Sequence, residues 1–524
     1  MKMRENDVAL RGHTFTLPGA LRALAGRRPD HPCVTFMDST ITFAQLESRS
    51  NRVGNALMAR GVQPGERIVV LAHNAPVFYE LLFGCAKVGA VMVGLNWRLS
   101  QSEIATLVGD AQPRVVLVDE ELRGLLPAFG ADSDVYVLDS GAGYEHWRDS
   151  SADWTPAYDV RGDEVVLQVY TSGTTGVPMG ALVTSENLSY TGKMAREFWS
   201  FLPDSVNLVA MPLFHIGGIG YSMTAMLQGG HTVLLRLPDP KEIITAIEKY
   251  RVTHSFLVPT VIQSIVDSDI VQRADLSSLQ LMVYGAAPIS ETALLRAIAT
   301  LGCKFTQAYG AAETTGTVIS LLPPDHDPGG PRAYLLRSIG RPWPWVEARL
   351  VDPVNDTDVA TGVVGELWVR TKAATTGYWN RPTETAKAIT PEGWLRTGDA
   401  AYQDADGYFY LHDRYKDMIV SGAENVYPAE VENVLYSHPG VREVAVIGVP
   451  DDHWGEVVKA IVVRTPESNV SESELIQFCR QHLGKFKCPS SVDFIDVLPR
   501  NPSGKVLKTT LRVPYWRGKT RLIH

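Results

Sequence analysis

Short apolar runs alternate with helical periodicity along most of the chain. Residues 67–72, RIVVLA, form a run of strand length. In the PVFYELLFGCAKVGA that follows, Val77, Phe78, Leu81, Leu82 and Cys85 fall on one helical face. Residues 115–119, 135–139, 231–236, 254–259 and 279–285 continue the strand series. KEIITAIEKY and SETALLRAIATLG are helices between them, the second opening at Ser290 as an N-cap. This alternation predicts stacked α/β layers with largely parallel sheets. After about residue 410 the pattern changes to a compact α+β unit: helices in PAEVENVLYSH and ESELIQFCRQHL, strands in EVAVIGV, VKAIVVR and VDFIDVL. The fold class is therefore α/β. A large multi-layer N-terminal domain spans 1–413, residues 414–418 form a boundary, and a small C-terminal α+β domain spans 419–524. The run DRYKD at the boundary also reads as a solvated turn.

Composition narrows the function. At 524 residues the chain is long enough for about three or four structural units. Hydrophobic residues make up 45% and charged residues 20%, as in ordinary globular proteins. A net charge of −9 argues against a general nucleic-acid binder and leaves small-molecule chemistry. The five cysteines include no CxxC pair, so neither a zinc site nor a disulfide framework is indicated. No segment has the apolar length of a signal peptide or a membrane span, and the expected location is the cytoplasm.

The stretch YTSGTTGVPMG, residues 170–180, follows the apolar run VVLQV as a phosphate-wrapping loop would. Gly173 and Gly176 let backbone approach an anion, and Thr171, Ser172, Thr174 and Thr175 supply N–H and hydroxyl donors. It is not a Walker A loop, and taken alone it also reads as a flexible surface loop. GAAP (285–288), YGAAE (309–313), GWLRTGD (393–399), DRYKD (413–417), GAENVYPAEVE (422–432) and PRNPSGKVLK (499–508) follow in that order. With this ordered set the chain resembles the adenylate-forming superfamily of acyl-CoA synthetases, adenylation domains and firefly-type luciferases, from about residue 15 to 510.

The resemblance implies roles for individual residues. Glu313 occupies the place of a glutamate that helps hold Mg²⁺, a hard oxygen ligand for a hard cation. Asp399 and Arg414 match residues that contact the ribose. Gly285, Ala286, Ala287 and Pro288, with Tyr309 and Gly310, resemble the wall against which adenine lies. The C-terminal unit of such proteins rotates between two poses, and Lys416 stands at the hinge position. In the first pose Lys505 reaches the carboxylate and α-phosphate; in the second, Gly422 lines the channel for pantetheine. His215 matches an aromatic gate between acyl pocket and thiol channel. An aspartate that would pair with a substrate amine is absent after Phe214, so the acid is not an amino acid; Gly217, Gly218 and Gly220 suggest room for a bulky acyl group.

Two residues depart from the superfamily pattern. Its loop lysine is replaced by Met179, and the threonine of YGxTE, which donates to the α-phosphate, by Ala312. The expected protein is an acyl-CoA ligase using ATP or a preformed acyl-AMP, CoA and Mg²⁺. Its adenylation half is weakened, and its partners are a carboxylic acid or its adenylate, a separate adenylating enzyme and a second copy of itself. An ordinary ATP-dependent synthetase and a non-catalytic nucleotide-binding relative are the alternatives.

Overall fold

The computed structural model describes residues 15–128, 134–138, 143–171, 178–287, 289, 291–414, 417–421, 424–451, 454–500 and 505–517. Ser290, the predicted N-cap, lies outside them. Among them no helix is long and apolar enough to cross a membrane. The chain divides into two compact units, one of Met1–Ala286, Thr300–Val318 and Thr371–Ile389, the other of Ala287–Ala299, Ile319–Arg370 and Thr390–His524.

The first unit contains β1 (Pro32–Phe36), β2 (Ser39–Thr42), β3 (Arg67–Leu71), β4 (Val91–Gly94), β5 (Val115–Val118), β6 (Asp134–Val137), β7 (Val165–Thr171), β8 (Met179–Thr184), β9 (Val206–Val209), β10 (His231–Leu234), β11 (His254–Leu257), β12 (Leu281–Gly285) and β13 (Lys304–Ala311). One sheet has the order β6-β5-β3-β4-β7-β8, parallel except for β8. Seven strands of a second, nine-stranded sheet run β13-β12-β11-β9-β10-β1-β2, parallel except for β2. β3, β4 and β5 are buried at every position, as parallel strands covered on both faces must be.

The helix Val77–Ala86 is present, but all ten of its residues are buried rather than one face. Its Glu80 is tolerated there because Arg49 at 3.0 Å, Arg148 at 2.8 Å and the Tyr144 hydroxyl at 2.6 Å all bond its carboxylate. After β8 a capping box of Thr184 and Asn187 starts the helix Ser185–Phe198. The chain passes into the second unit within β14 (Gly316–Leu321).

In the second unit β15 (Arg341–Pro342) pairs with the end of β14. A five-stranded sheet follows, made of β16 (Glu347–Asp352), β17 (Thr357–Asp358), β18 (Gly365–Arg370), β19 (Leu395–Gln403) and β20 (Phe409–Arg414), ordered β17-β16-β18-β19-β20. It is antiparallel throughout, where the sequence pattern suggested mostly parallel pairing.

The expected α+β elements then appear: β21 (Ile419–Ser421), β22 (Glu424–Val426), β23 (Val441–Asp451), β24 (Gly455–Arg464) and β25 (Ser491–Phe494), with helices Pro428–Tyr436, Glu472–His482 and Lys508–Trp516. β23 is buried on both faces. Val444 and Val446 join one apolar cluster with Val431, Leu435 and Leu475, while Ala445, Ile447 and Val449 join another with Ile461 and Leu498.

The DRYKD run is not a wholly solvated turn. Asp417 is 5% exposed, and its carboxylate pairs with Arg512 Nη1 at 2.7 Å, while Arg512 Nη2 donates to the Asp417 carbonyl at 3.2 Å. All five cysteines are free. Burial pushes the Cys303 and Cys479 thiols up to about 12, raises that of Cys488, and raises those of Cys33 and Cys85 further.

Candidate active site

The first unit brings several expected residues together at the ends of β12 and β13. Gly285 pairs with Ala308, and a Cβ at Gly285 would stand 2.2 Å from the Ala308 carbonyl oxygen, so only glycine admits that approach. Ala286 follows in the left-handed region at φ 63°. Tyr309 and Gly310 lie on β13, and a Cβ at Gly310 would stand 1.8 Å from the Gly316 carbonyl oxygen. Ala312 and Glu313 begin the turn after β13.

Glu313 is partly exposed, and the segment 375–379 fixes it. The Tyr378 hydroxyl donates to Glu313 Oε1 at 2.9 Å, and the Thr375 N–H donates to the Glu313 carbonyl at 2.7 Å. A carboxylate so placed suits Mg²⁺, which takes one or two protein carboxylates together with substrate phosphates and water.

Thr171 ends β7, and its hydroxyl donates to the Met179 carbonyl at 3.4 Å across the β7–β8 pair. Ser172, Gly173, Thr174, Thr175 and Gly176 lie outside the described residues. Met179, in the place of the loop cation, is 9% exposed, and Ala312 is 6% exposed.

His215 caps the helix Ile216–Met226, its Nδ1 accepting the Gly217 N–H at 3.1 Å, so that the ring proton sits on Nε2. Desolvation pushes its imidazole down to about 4. The three glycines beyond it do not open space for an acyl group as expected. A Cβ at Gly217 would meet the Phe256 ring at 3.2 Å, at Gly218 the Pro212 carbonyl at 2.0 Å, and at Gly220 the Ile216 side chain at 2.9 Å. They let the helix lie close against neighbouring chain, which periodicity cannot distinguish from an open pocket.

The second unit holds the remainder. Asp399 on β19 and Arg414 on β20 are cross-strand partners. Gly398 precedes Asp399 at φ 72°, and its N–H donates to Glu366 at 3.0 Å. Lys505 is half-buried and directly precedes Val506, which bridges to Arg500, and Leu507, whose N–H donates to the Pro499 carbonyl at 2.8 Å. Ala287 is half-buried, whereas Pro288, Lys416 and Gly422 lie outside the described residues.

Sequence reading missed Tyr378 and Thr375, although TTGYWN carries the hydroxyl and the backbone N–H that hold Glu313. Elsewhere His73, Asp119 and Glu121 gather three ligating atoms, but the Arg236 guanidinium pairs with Glu121 and lies 3.5 Å from Asp119. An arginine already meets that charge.

The AMP-binding enzyme family matches residues 21–379, and the AMP-binding enzyme C-terminal domain matches 430–505. The chain belongs to the AMP-binding enzymes. It falls in their acid–thiol ligase branch. A fatty acid–[acyl-carrier-protein] ligase, ScoC of Streptomyces coeruleorubidus, is 36% identical over 95% of this chain and 96% of its own length. A feruloyl-CoA synthase of an Amycolatopsis species is 38% identical over 92% and 96%. The solved anthranilate CoA ligase AuaEII in complex with anthranoyl-AMP superposes with a TM-score of 0.88 at 26% identity, over 98% of this chain and 99% of that one.

One solution property of this AMP-binding enzyme follows from four imidazoles, of which His254 is buried and His215, His231 and His326 are half-buried. Desolvation pushes His215, His231, His254 and His326 down to about 4. With folded values below the unfolded value near 6.5, the unfolded chain binds more protons below that pH, so stability present above it is lost on acidification. By pH 5 each histidine removes up to ~2 kcal/mol. Urea midpoints at pH 7 and pH 5 measure this. A midpoint that does not fall would mean that the rings are hydrated.

Proposed function

We propose that the protein forms an acyl-CoA thioester from a non-amino carboxylic acid and ATP, through a bound acyl-adenylate with release of AMP. The observation that carries this reading is Glu313, a carboxylate set beside Tyr309 and Gly310 by two bonds from segment 375–379 and chemically suited to a nucleotide-bound Mg²⁺. Bound Mg²⁺ would neutralise phosphate charge. Glu313 would hold it, Asp399 and Arg414 would contact the ribose, and Gly285, Ala286, Ala287 and Pro288 would contact the adenine. His215, neutral at pH 7, supplies no negative charge to pair with a substrate ammonium, which fits a non-amino acid. The relatives named for feruloyl-CoA and anthranilate CoA chemistry make aromatic acids the first to try. Residues 414–418, with Lys416, form the hinge on which the two half-reactions alternate, and Gly422 serves the second. The enzyme works in the cytoplasm on free acid.

The test is thioester formation from acid, ATP and CoA across a panel of aromatic and fatty acids. Because one relative is named for a carrier protein, phosphopantetheinylated carrier protein is the competing acceptor. Failure with both thiols, from acid and from acyl-AMP alike, counts against the reading.

A second reading, with weakened adenylation and acyl-AMP supplied by another enzyme, is favoured by the buried apolar side chains at Met179 and Ala312. A charge-assisted hydrogen bond contributes about 1.5–3 kcal/mol and a neutral one about 0.5–1.5 kcal/mol, so the two replacements would slow triphosphate handling without abolishing it. Met179→Lys, its stem covered and its ammonium reaching out of the strand, is then expected to raise the ATP-dependent rate roughly tenfold. The rate from acyl-AMP should barely change, since that substrate lacks the β- and γ-phosphates. Paired initial rates decide it, and a parent that already makes acyl-AMP at tens per second removes this second reading.

A further inference from the structure

The segment 375–381 contacts more than Glu313. The Leu182 N–H donates to the Gly377 carbonyl at 3.0 Å and the Trp379 N–H to the Gly180 carbonyl at 2.8 Å, which lays the segment along β8. The Thr375 hydroxyl donates to the Leu182 carbonyl at 2.7 Å. Asn187, in the capping box after β8, donates to the Lys372 and Ala374 carbonyls at 2.7 and 3.0 Å. On the β7 side, the Tyr170 hydroxyl donates to Asp110 at 2.7 Å, and Asp110 is also bound by Arg381 at 2.6 Å and, through its carbonyl, by Trp379 Nε1 at 3.0 Å. Both strands that flank the glycine-rich loop are thus tied to the stretch of chain that holds Glu313.

We infer that Tyr378 is the positioning residue for Glu313: its hydroxyl occupies Oε1 and turns the other carboxylate oxygen toward a divalent cation on a nucleoside triphosphate. The backbone bonds of 375–379 index that oxygen to the β7–β8 hairpin. This rests on the reading above that Glu313 is a cation ligand. A bond to one carboxylate oxygen restricts rotation about the last side-chain torsion, and such outer partners typically carry 10- to 100-fold of metal affinity or activity. A hydroxyl that merely completed local packing would leave the cation dependence untouched.

The experiment compares the parent with Tyr378→Phe, Glu313→Gln and the double variant, each with ATP present. Mn²⁺ binding is followed by electron paramagnetic resonance, and acyl-AMP formation is measured against Mg²⁺ concentration. Tyr378→Phe is expected to weaken Mn²⁺ binding and raise the half-saturating Mg²⁺ about tenfold, with thioester formation from supplied acyl-AMP and CoA unchanged. Added to Glu313→Gln it should have no further effect. If Glu313→Gln weakens Mn²⁺ binding and Tyr378→Phe does not, the inference falls and the assignment of Glu313 stands. If Glu313→Gln leaves Mn²⁺ binding unchanged, both fall. Urea midpoints of the variants separate misfolding from lost positioning, and a Tyr378→Phe effect confined to stability also overturns the inference.

Discussion

Lys505→Ala is expected to slow formation of acyl-AMP from acid and ATP by ~10²-fold or more, while thioester formation from acyl-AMP and CoA stays within about threefold of the parent. A preset cation lowers the barrier to phosphoryl chemistry because its charge is in place before negative charge develops, with no solvent reorganisation left to pay for. Lys505 has the framework for this. The residues after it are anchored by the Arg500–Val506 bridge and the Leu507–Pro499 bond, Arg500 is held by Glu443 at 2.6 Å, and Val506 packs against the cluster of Ala445, Ile447 and Leu498. Pyrophosphate release and thioester formation, measured separately, give the ratio. Equal losses in both would mean that Lys505 serves the whole cycle rather than its first half.

Arg512→Ala is expected to destabilise the second unit by about 3–5 kcal/mol, because it removes the guanidinium that pairs with the buried Asp417 carboxylate. Both side chains are nearly covered, at 9% and 8% exposure. Arg512→Lys should recover only part of the loss, since one ammonium cannot reproduce the paired contacts to the Asp417 carboxylate and carbonyl. Hydrogen exchange in β21 and in the helix Lys508–Trp516, read beside urea unfolding, would locate the effect. A parent-like midpoint would indicate that water reaches the pair.

Much of the layered α/β architecture was readable because parallel strands buried on both faces appear as unbroken apolar runs. RIVVLA and VVLVD became β3 and β5 with little boundary error. The antiparallel sheet β16–β20 was less legible. Its strands carry charge beside their buried positions, as in GELWVR, where half-buried Glu366 and Arg370 flank Leu367, Trp368 and Val369, so they resemble loops to a reading that looks for apolar runs. At the site, GAAP and YGAAE were legible through the resemblance that the ordered set of motifs carries. Tyr378 did not, since it stands 65 positions from Glu313 and no local periodicity joins them. Asp417 misled for the same reason: in DRYKD it looks solvated until Arg512, 95 residues on, is brought against it. Met179 shows the converse. Its position in a glycine-rich stretch suggests exposure, but pairing of β8 with β7 buries its side chain.

The covered cysteines have a practical corollary. At neutral pH all five thiols are protonated and four of them are buried, so maleimide dyes and nitroxide labels should find almost nothing to react with on the native surface. Single cysteines introduced on either side of residues 414–418 would therefore report alone, and a fluorophore or spin pair could follow the proposed alternation through a catalytic cycle without a cysteine-free background.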